Sequence, residues 1–427
     1  MRILVLCNKS PYPAKEGGPI AINMIVEGLT EAGHSVKVLA MNTDKYSVRL
    51  SDIPEEYRIK TGIELIYVDL RFRPLKAFMN LFTNESYHVE RFVSAQFAKR
   101  LEEILLLENF DVVQFEMPFL SPYLPIVKKN SNARTILRTH NIEHKIWERI
   151  AATTKNPVKK LYLRHLARTL KMHELRVIRE FDGIAAISEV DAEYFRHSLL
   201  TSGPSSLLSD QLPEAPHPFL EGAGIGNGGD RVVTIPFGID PSKYKMSQNP
   251  RGTISLFSIG AMNWIPNAEG IRWFLENVWN GVSEKYPELK YYIAGREMPD
   301  WLTRSDFPNA VIVGEVEDAQ LFMEDHSLMI VPLFSGSGIR IKIIEGMAAG
   351  KAILSTSIGA EGIHYTHGEN ILVADSPGDF IRMISACIED QHLISKLGKN
   401  ARLLIESEYN RETIIQNLFR FYQKTGS

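Results

Sequence analysis

Cysteine is nearly missing from this chain: Cys7 and Cys387 are the two in 427 residues, far apart and in apolar surroundings. That excludes a disulfide framework and a cysteine-built metal site, and it points to a reducing, cytoplasmic setting. An excess of either charge is missing too. Lys and Arg number 48 against 51 Asp and Glu, a net charge of -3 that argues against general nucleic-acid binding. No apolar run reaches the roughly 18 residues of a membrane span, and the stretch at 2–7 is too short for a secretory signal, so any membrane contact is expected to be peripheral. There is no Asp-x-Asp and no compact His/Cys cluster, so nothing visible demands a divalent ion. Nor does a strand, a Gly-x-Gly-x-x-Gly turn and a helix occur in succession. The glycines around Gly222 and Gly224 lack the flanking elements, which argues against a dehydrogenase.

What remains is a globular α/β chain. Hydrophobic residues make up 44%, and 22 prolines are spread along the length. Strand patterns are expected at 2–7, 35–41, 63–67, 111–116, 134–139 and 183–187, with helical patterns at 19–32, 89–107 and 158–180. A polar Gly/Pro/Ser-rich stretch at about 202–230 reads as a surface insertion. Alternation restarts with strands expected at 254–260, 289–295, 309–314, 328–334, 352–357 and 371–373. Two mostly parallel, doubly wound domains follow, over 1–237 and 238–409, with a terminal segment at 410–427.

The densest chemistry lies at 327–363. An apolar strand, Ser327 to Phe334, stops at Ser335-Gly336-Ser337-Gly338, where small residues let a ligand approach the backbone. A helix follows, with Arg340 and Lys342 at its start and Gly350 as its stop. Unpaired N–H groups at a helix start favour phosphate. Glu345, three residues past Lys342, shares its side, and a carboxylate accepts two hydrogen bonds from a ribose diol. Cations for a diphosphate followed by an acid for a ribose describe a site for a nucleotide-diphosphate-sugar.

The segment Glu345-Gly346-Met347-Ala348-Ala349-Gly350 resembles the signature helix of glycosyltransferase family 4, retaining enzymes of the GT-B fold. That family pairs two glutamates eight positions apart. Here Glu345 matches the second, while Ser337 replaces the first, which generally contacts the transferred hexose. Arg340, Lys342 and the later Ser357-Ile358-Gly359-Ala360-Glu361-Gly362 resemble a branch with the same departure. The resemblance implies two Rossmann-like domains facing across a cleft and a linker near Pro236-Phe237-Gly238. It also implies a last helix crossing back to the N-terminal domain. Its activity would be transfer of a sugar, with retention, to a glycan or lipid-linked saccharide in surface polysaccharide assembly, with no cofactor and no obligatory metal.

The same resemblance assigns further positions. Gly17 and Gly18 match a glycine pair near donor phosphate or acceptor; the plain alternative is a loop with Pro19 at the first helical position. His140, after the strand at 134–139, matches a histidine near the transferred sugar, or else caps a loop. Asn263, in Gly260-Ala261-Met262-Asn263-Trp264-Ile265-Pro266-Asn267, is a phosphate donor or a turn cap. That loop lacks the family's basic pair, a task we expect Arg340 and Lys342 to take over. Val316, in Gly314-Glu315-Val316, lies in the loop expected to meet the nucleobase through its backbone. The helix at 158–180 carries a basic face, solvated or laid on the inner face of a membrane, and 71–82 gives a similar hint. Two rival readings stand: a nucleotide-sugar-binding protein without transfer activity, suggested by Ser337, and a nucleotide-sugar epimerase of the same fold, for which no acid/base set is visible.

Overall fold

The computed structural model describes residues 1–14, 17–201, 231–246, 254–336 and 338–425. The expected insertion at 202–230 and Ser337 lie outside the described residues. The chain divides into two compact units, one of residues 1–236 with 415–427, the other of 237–414.

The first unit is built on a parallel sheet of seven strands: β1 Arg2–Cys7, β2 Ser35–Asn42, β3 Glu64–Tyr67, β4 Val112–Glu116, β5 Arg134–Thr139, β6 Gly183–Ala186 and β7 Val232–Thr234. Their order is β3-β2-β1-β4-β5-β6-β7. β1 reads as an unbroken apolar run because both faces of the sheet are covered; Ile3 through Cys7 have no exposed surface. One core cluster joins Leu4, Leu39, Phe97, Phe115, Leu137 and Phe181. The last helix, Arg411–Lys424, brings Tyr422 into this unit, where its hydroxyl donates to Gln114 of β4.

The second unit holds six parallel strands: β8 Ser255–Ile259, β9 Lys290–Ala294, β10 Ala310–Gly314, β11 Leu328–Val331, β12 Ala352–Ser355 and β13 Leu372–Val373. Their order is β10-β9-β8-β11-β12-β13. Its core gathers Phe274, Trp279, Tyr291, Leu328, Leu354 and Phe380. In both sheets the winding direction reverses at the centre, between β1 and β4 and between β8 and β11. The crevice beyond the carboxyl ends of such strands is where open α/β sheets bind ligands.

Several expected boundaries move. The helix expected at 89–107 is two helices, Tyr87–Glu90 and Ala95–Leu107, because the Ser94 hydroxyl accepts from Phe97 N at 3.4 Å and starts the second afresh. The strand expected at 328–334 ends at Val331, before Pro332, which has no N–H for a ladder. β7, an edge strand of three residues, was not expected at all: so short a run gives no period to read.

Candidate functional site

In the second unit the reversal point is occupied by a lysine. The Ile341–Ala348 helix follows β11, and Lys342 Nζ donates to the carbonyl of Ile259, the last residue of β8, at 3.1 Å. It also donates to Asn267 Oδ1 at 2.7 Å. The other end of that amide is tied to Ala261 O at 2.8 Å, which aims Oδ1 at the ammonium. A Cβ on Gly260 would stand 3.0 Å from Lys342 Nζ, so glycine leaves room for the ammonium. Burial, and secondarily repulsion from Arg340, pull the Lys342 pKa down to about 7. The residue has no carboxylate within ion-pair distance among the described residues.

Arg340, buried, caps the same helix from an extended backbone. Its Nη1 donates to Gly338 O at 2.5 Å, and its guanidinium lies 5.7 Å from the centre of the Trp264 ring. Gly338 has φ of 75°, a left-handed conformation that favours glycine. Glu345, one turn on, accepts from the Tyr244 hydroxyl at 3.4 Å. Burial raises its pKa, while the Tyr244 bond pulls the other way. Tyr244 is held in turn by Arg402, whose Nη1 donates to Tyr244 O at 3.0 Å and also to Ala348 O. Gly338, Arg340, Lys342 and Glu345 therefore stand together. Asn263 is exposed beside them, but its amide donates to Glu297 Oε1 at 2.6 Å. Val316 is half-buried in the loop after the edge strand β10 and makes no hydrogen bond to the cluster.

His140 lies in the first unit, just past β5, within a buried network. Its Nε2 is 2.7 Å from Glu116 Oε2, at the end of β4. Arg138 Nη1 reaches the same oxygen at 3.1 Å. A carboxylate only accepts, so Nε2 carries the proton and Nδ1 of the neutral ring is left as an acceptor. Burial lowers the His140 pKa, helped by Arg138 and Lys9, against the pull of Glu116. Burial alone would raise the Glu116 pKa, but Arg138 and His140 outweigh it and the net shift is downward. Gln114 Nε2 donates to Glu116 Oε1 at 2.6 Å and completes the set.

Gly17 and Gly18 open the Gly17–Glu31 helix, and a Cβ on Gly18 would come within 2.8 Å of the Lys9 side chain. Lys9 acts electrostatically on His140 and on Glu143, a buried acid that burial and then Glu174 raise to about 8. The C-terminal edge of this sheet thus gathers Lys9, Gly18, Glu116, Arg138, His140 and Glu143. Sequence reasoning missed Asn267, Tyr244, Glu116 and Glu143 as site residues. One signal was available for Glu116: a carboxylate at the end of a buried strand rarely lacks a partner.

Residues 253–390 match the family model described as Glycosyl transferases group 1. A protein of Klebsiella pneumoniae, described as an uncharacterized 44.6 kDa protein in the cps region, is 22% identical over 433 residues, covering 98% of this chain and 99% of its own. Among solved structures, sucrose-phosphate synthase of Thermosynechococcus elongatus superposes with a TM-score of 0.66 at 13% identity, covering 99% of each chain. Anabaena Alr3699/HepE in complex with UDP gives 0.66 at 14% identity, over 99% of this chain and 100% of its own. Its complex with UDP-glucose gives 0.64 at 13%, over 99% of each. The chain has the GT-B fold. Its two doubly wound units are the Rossmann-like halves of that architecture, and the lysine-centred cluster lies inside the matched region.

Proposed function

We propose that this protein is a retaining glycosyltransferase of the family 4 type, moving a hexose from a nucleotide-diphosphate-sugar to a glycan or lipid-linked saccharide. The carrying observation is Lys342: a desolvated ammonium, held at the sheet's reversal point by two neutral acceptors among the described residues, next to Arg340 and one turn from Glu345. An anion is the partner such a site lacks. The UDP and UDP-glucose complexes of the Anabaena protein support a nucleotide-sugar donor. The relative from the cps region supports a surface-polysaccharide setting.

On this reading Arg340 and Lys342, with the helix start at Gly338, stabilise charge developing on the departing nucleoside diphosphate. Arg340 offers a planar fork and Lys342 a point charge. Glu345 holds the ribose and orients the donor. His140 touches the transferred sugar, with Glu116 fixing its tautomer. Gly17, Gly18, Asn263 and Val316 are assigned to donor binding as part of this proposal. The leaving group's charge is compensated by side chains, so turnover should not need magnesium.

Incubating the protein with nucleotide sugars and measuring release of nucleoside diphosphate, with and without magnesium, tests this. Metal-independent release that depends on Lys342 supports the reading. Tight donor binding without release or transfer to any glycan would favour the binding-protein reading suggested by Ser337.

A further inference from the structure

The Pro74–Asn80 helix of the first unit is amphipathic in the inverted sense. Ala77 and Asn80 are buried, whereas Leu75, Phe78, Met79 and Phe82 are 72%, 59%, 61% and 79% exposed. Those four stand at i, i+3, i+4 and i+7, one stripe along the helix and the turn that prolongs it through the Phe82 N to Met79 O bond. The Phe78 and Phe82 rings meet edge to face at 5.5 Å, and Phe72 is exposed beside the helix start. Single exposed hydrophobics are ordinary; a contiguous apolar stripe is a docking feature. Its mount is firm. Ala77 packs in a small core with Tyr87, Ala151, Leu163 and Leu166, and Asn80 O contacts His165 Nε2 at 3.3 Å.

The charge beside the stripe identifies what covers it. His165 belongs to the Pro157–Val177 helix, and residues 155–171 contain six Lys/Arg and no Asp or Glu. Leu161, Arg164 and Arg168 flank His165 on that helix, all exposed. Lys159, Arg164 and Arg168 have no carboxylate within ion-pair distance among the described residues. The cations at the start of the Pro74–Asn80 helix are different. Arg71 and Arg73 engage Asp69 at 3.0 and 3.3 Å, Arg71 faces Asp44 at 3.6 Å, and Lys76 faces Glu90 at 3.8 Å. The unmatched positive charge therefore sits on the Pro157–Val177 helix. A second copy would bring its own cations against these, which repels. An anionic lipid surface complements both features, with headgroups for the cations and the acyl boundary for the aromatic stripe.

We propose that this face docks on anionic bilayers, inserting Leu75, Phe78, Met79 and Phe82 while Arg164 and Arg168 meet the headgroups. The inference stands apart from the transfer reading, since none of these residues belongs to the nucleotide cluster.

Co-sedimentation of the full chain with vesicles tests it, using phosphatidylcholine alone and with about one third phosphatidylglycerol. Binding is expected to the anionic vesicles, little to the neutral ones, and release by high salt. Changing Leu75, Phe78, Met79 and Phe82 together to Ser should weaken binding at least about thirty-fold. Arg164→Glu with Arg168→Glu should weaken it about ten-fold or more. Phe82→Trp, which keeps the stripe, should show a blue-shifted emission on anionic vesicles. Failure of the wild-type chain to bind anionic vesicles, equal binding to neutral ones, or unchanged binding by the serine variant would overturn the proposal. So would a wild-type dimer in lipid-free solution that the serine variant loses, which would assign the stripe to a second copy.

Discussion

Both units bury a cation near the reversal point of a parallel sheet, and they hold it in opposite ways. In the first, Arg138 is fully buried against Glu116, itself fully buried, with His140 on the same oxygen. Charge there is balanced inside the protein. In the second, Lys342 meets a backbone carbonyl and an amide oxygen, and the nearest charged neighbour that shifts it, Arg340, repels it. The first arrangement presents a neutral, prearranged set suited to sugar hydroxyls. The second is short of one anion, which suits a diphosphate. A buried cation with its counter-charge in place favours rigidity, and one without favours an anionic ligand.

Glu116→Gln should have the largest effect. It leaves Arg138 buried and unpaired and should destabilise the first unit by about 3–5 kcal/mol in urea unfolding. Nucleoside diphosphate binding by the folded protein should persist, because the Lys342 cluster is untouched. Lys342→Met is the converse. Turnover should fall about 10²–10³-fold, while the melting temperature holds or rises because a desolvated charge has gone. Unchanged kinetics would remove Lys342 from the mechanism. Glu345→Ala should weaken nucleoside diphosphate binding by about ten-fold or more in calorimetry. An unaltered affinity would contradict the ribose assignment.

The smallest expected effect is a pH dependence of ligand binding at Lys342. The Lys342 pKa is lowered to about 7, so the free protein carries this charge below that pH and loses it above. Diphosphate affinity should therefore be greatest at or below about pH 7 and decline above it, by at most about ten-fold per unit. Binding should be accompanied by proton uptake between pH 7 and 9. Of the groups around the ammonium, Arg340 stays charged, Asn267 does not titrate, and burial raises the pKa of Glu345. Lys342→Arg should flatten the profile. A flat profile in the wild-type chain would show that the ammonium does not face the ligand.

Most strands were readable because a parallel sheet covered on both faces favours continuous apolar runs, as in β1 and β11. The helix at 341–348 was readable because its cations, its acid and its stop fall within eleven residues. The partners were not. Asn267 reaches Lys342 across 75 residues and Tyr244 reaches Glu345 across 101, so no local pattern ties them. His140 was visible as a residue at a strand end, but Glu116, which fixes its tautomer, stands 24 positions earlier on a neighbouring strand. The break at 91–94 was lost because apolar positions run through it, while the Ser94 cap is a single hydroxyl.

Calorimetric titration of the full chain with a panel of nucleoside diphosphates and their sugars, first without metal and then with magnesium, is the decisive test of an anion site at Lys342. Selective binding of one nucleotide without metal is expected, with proton uptake above pH 7, retained in Glu116→Gln and lost in Lys342→Met. No binding to any nucleotide, or binding that survives the loss of Lys342, would contradict it.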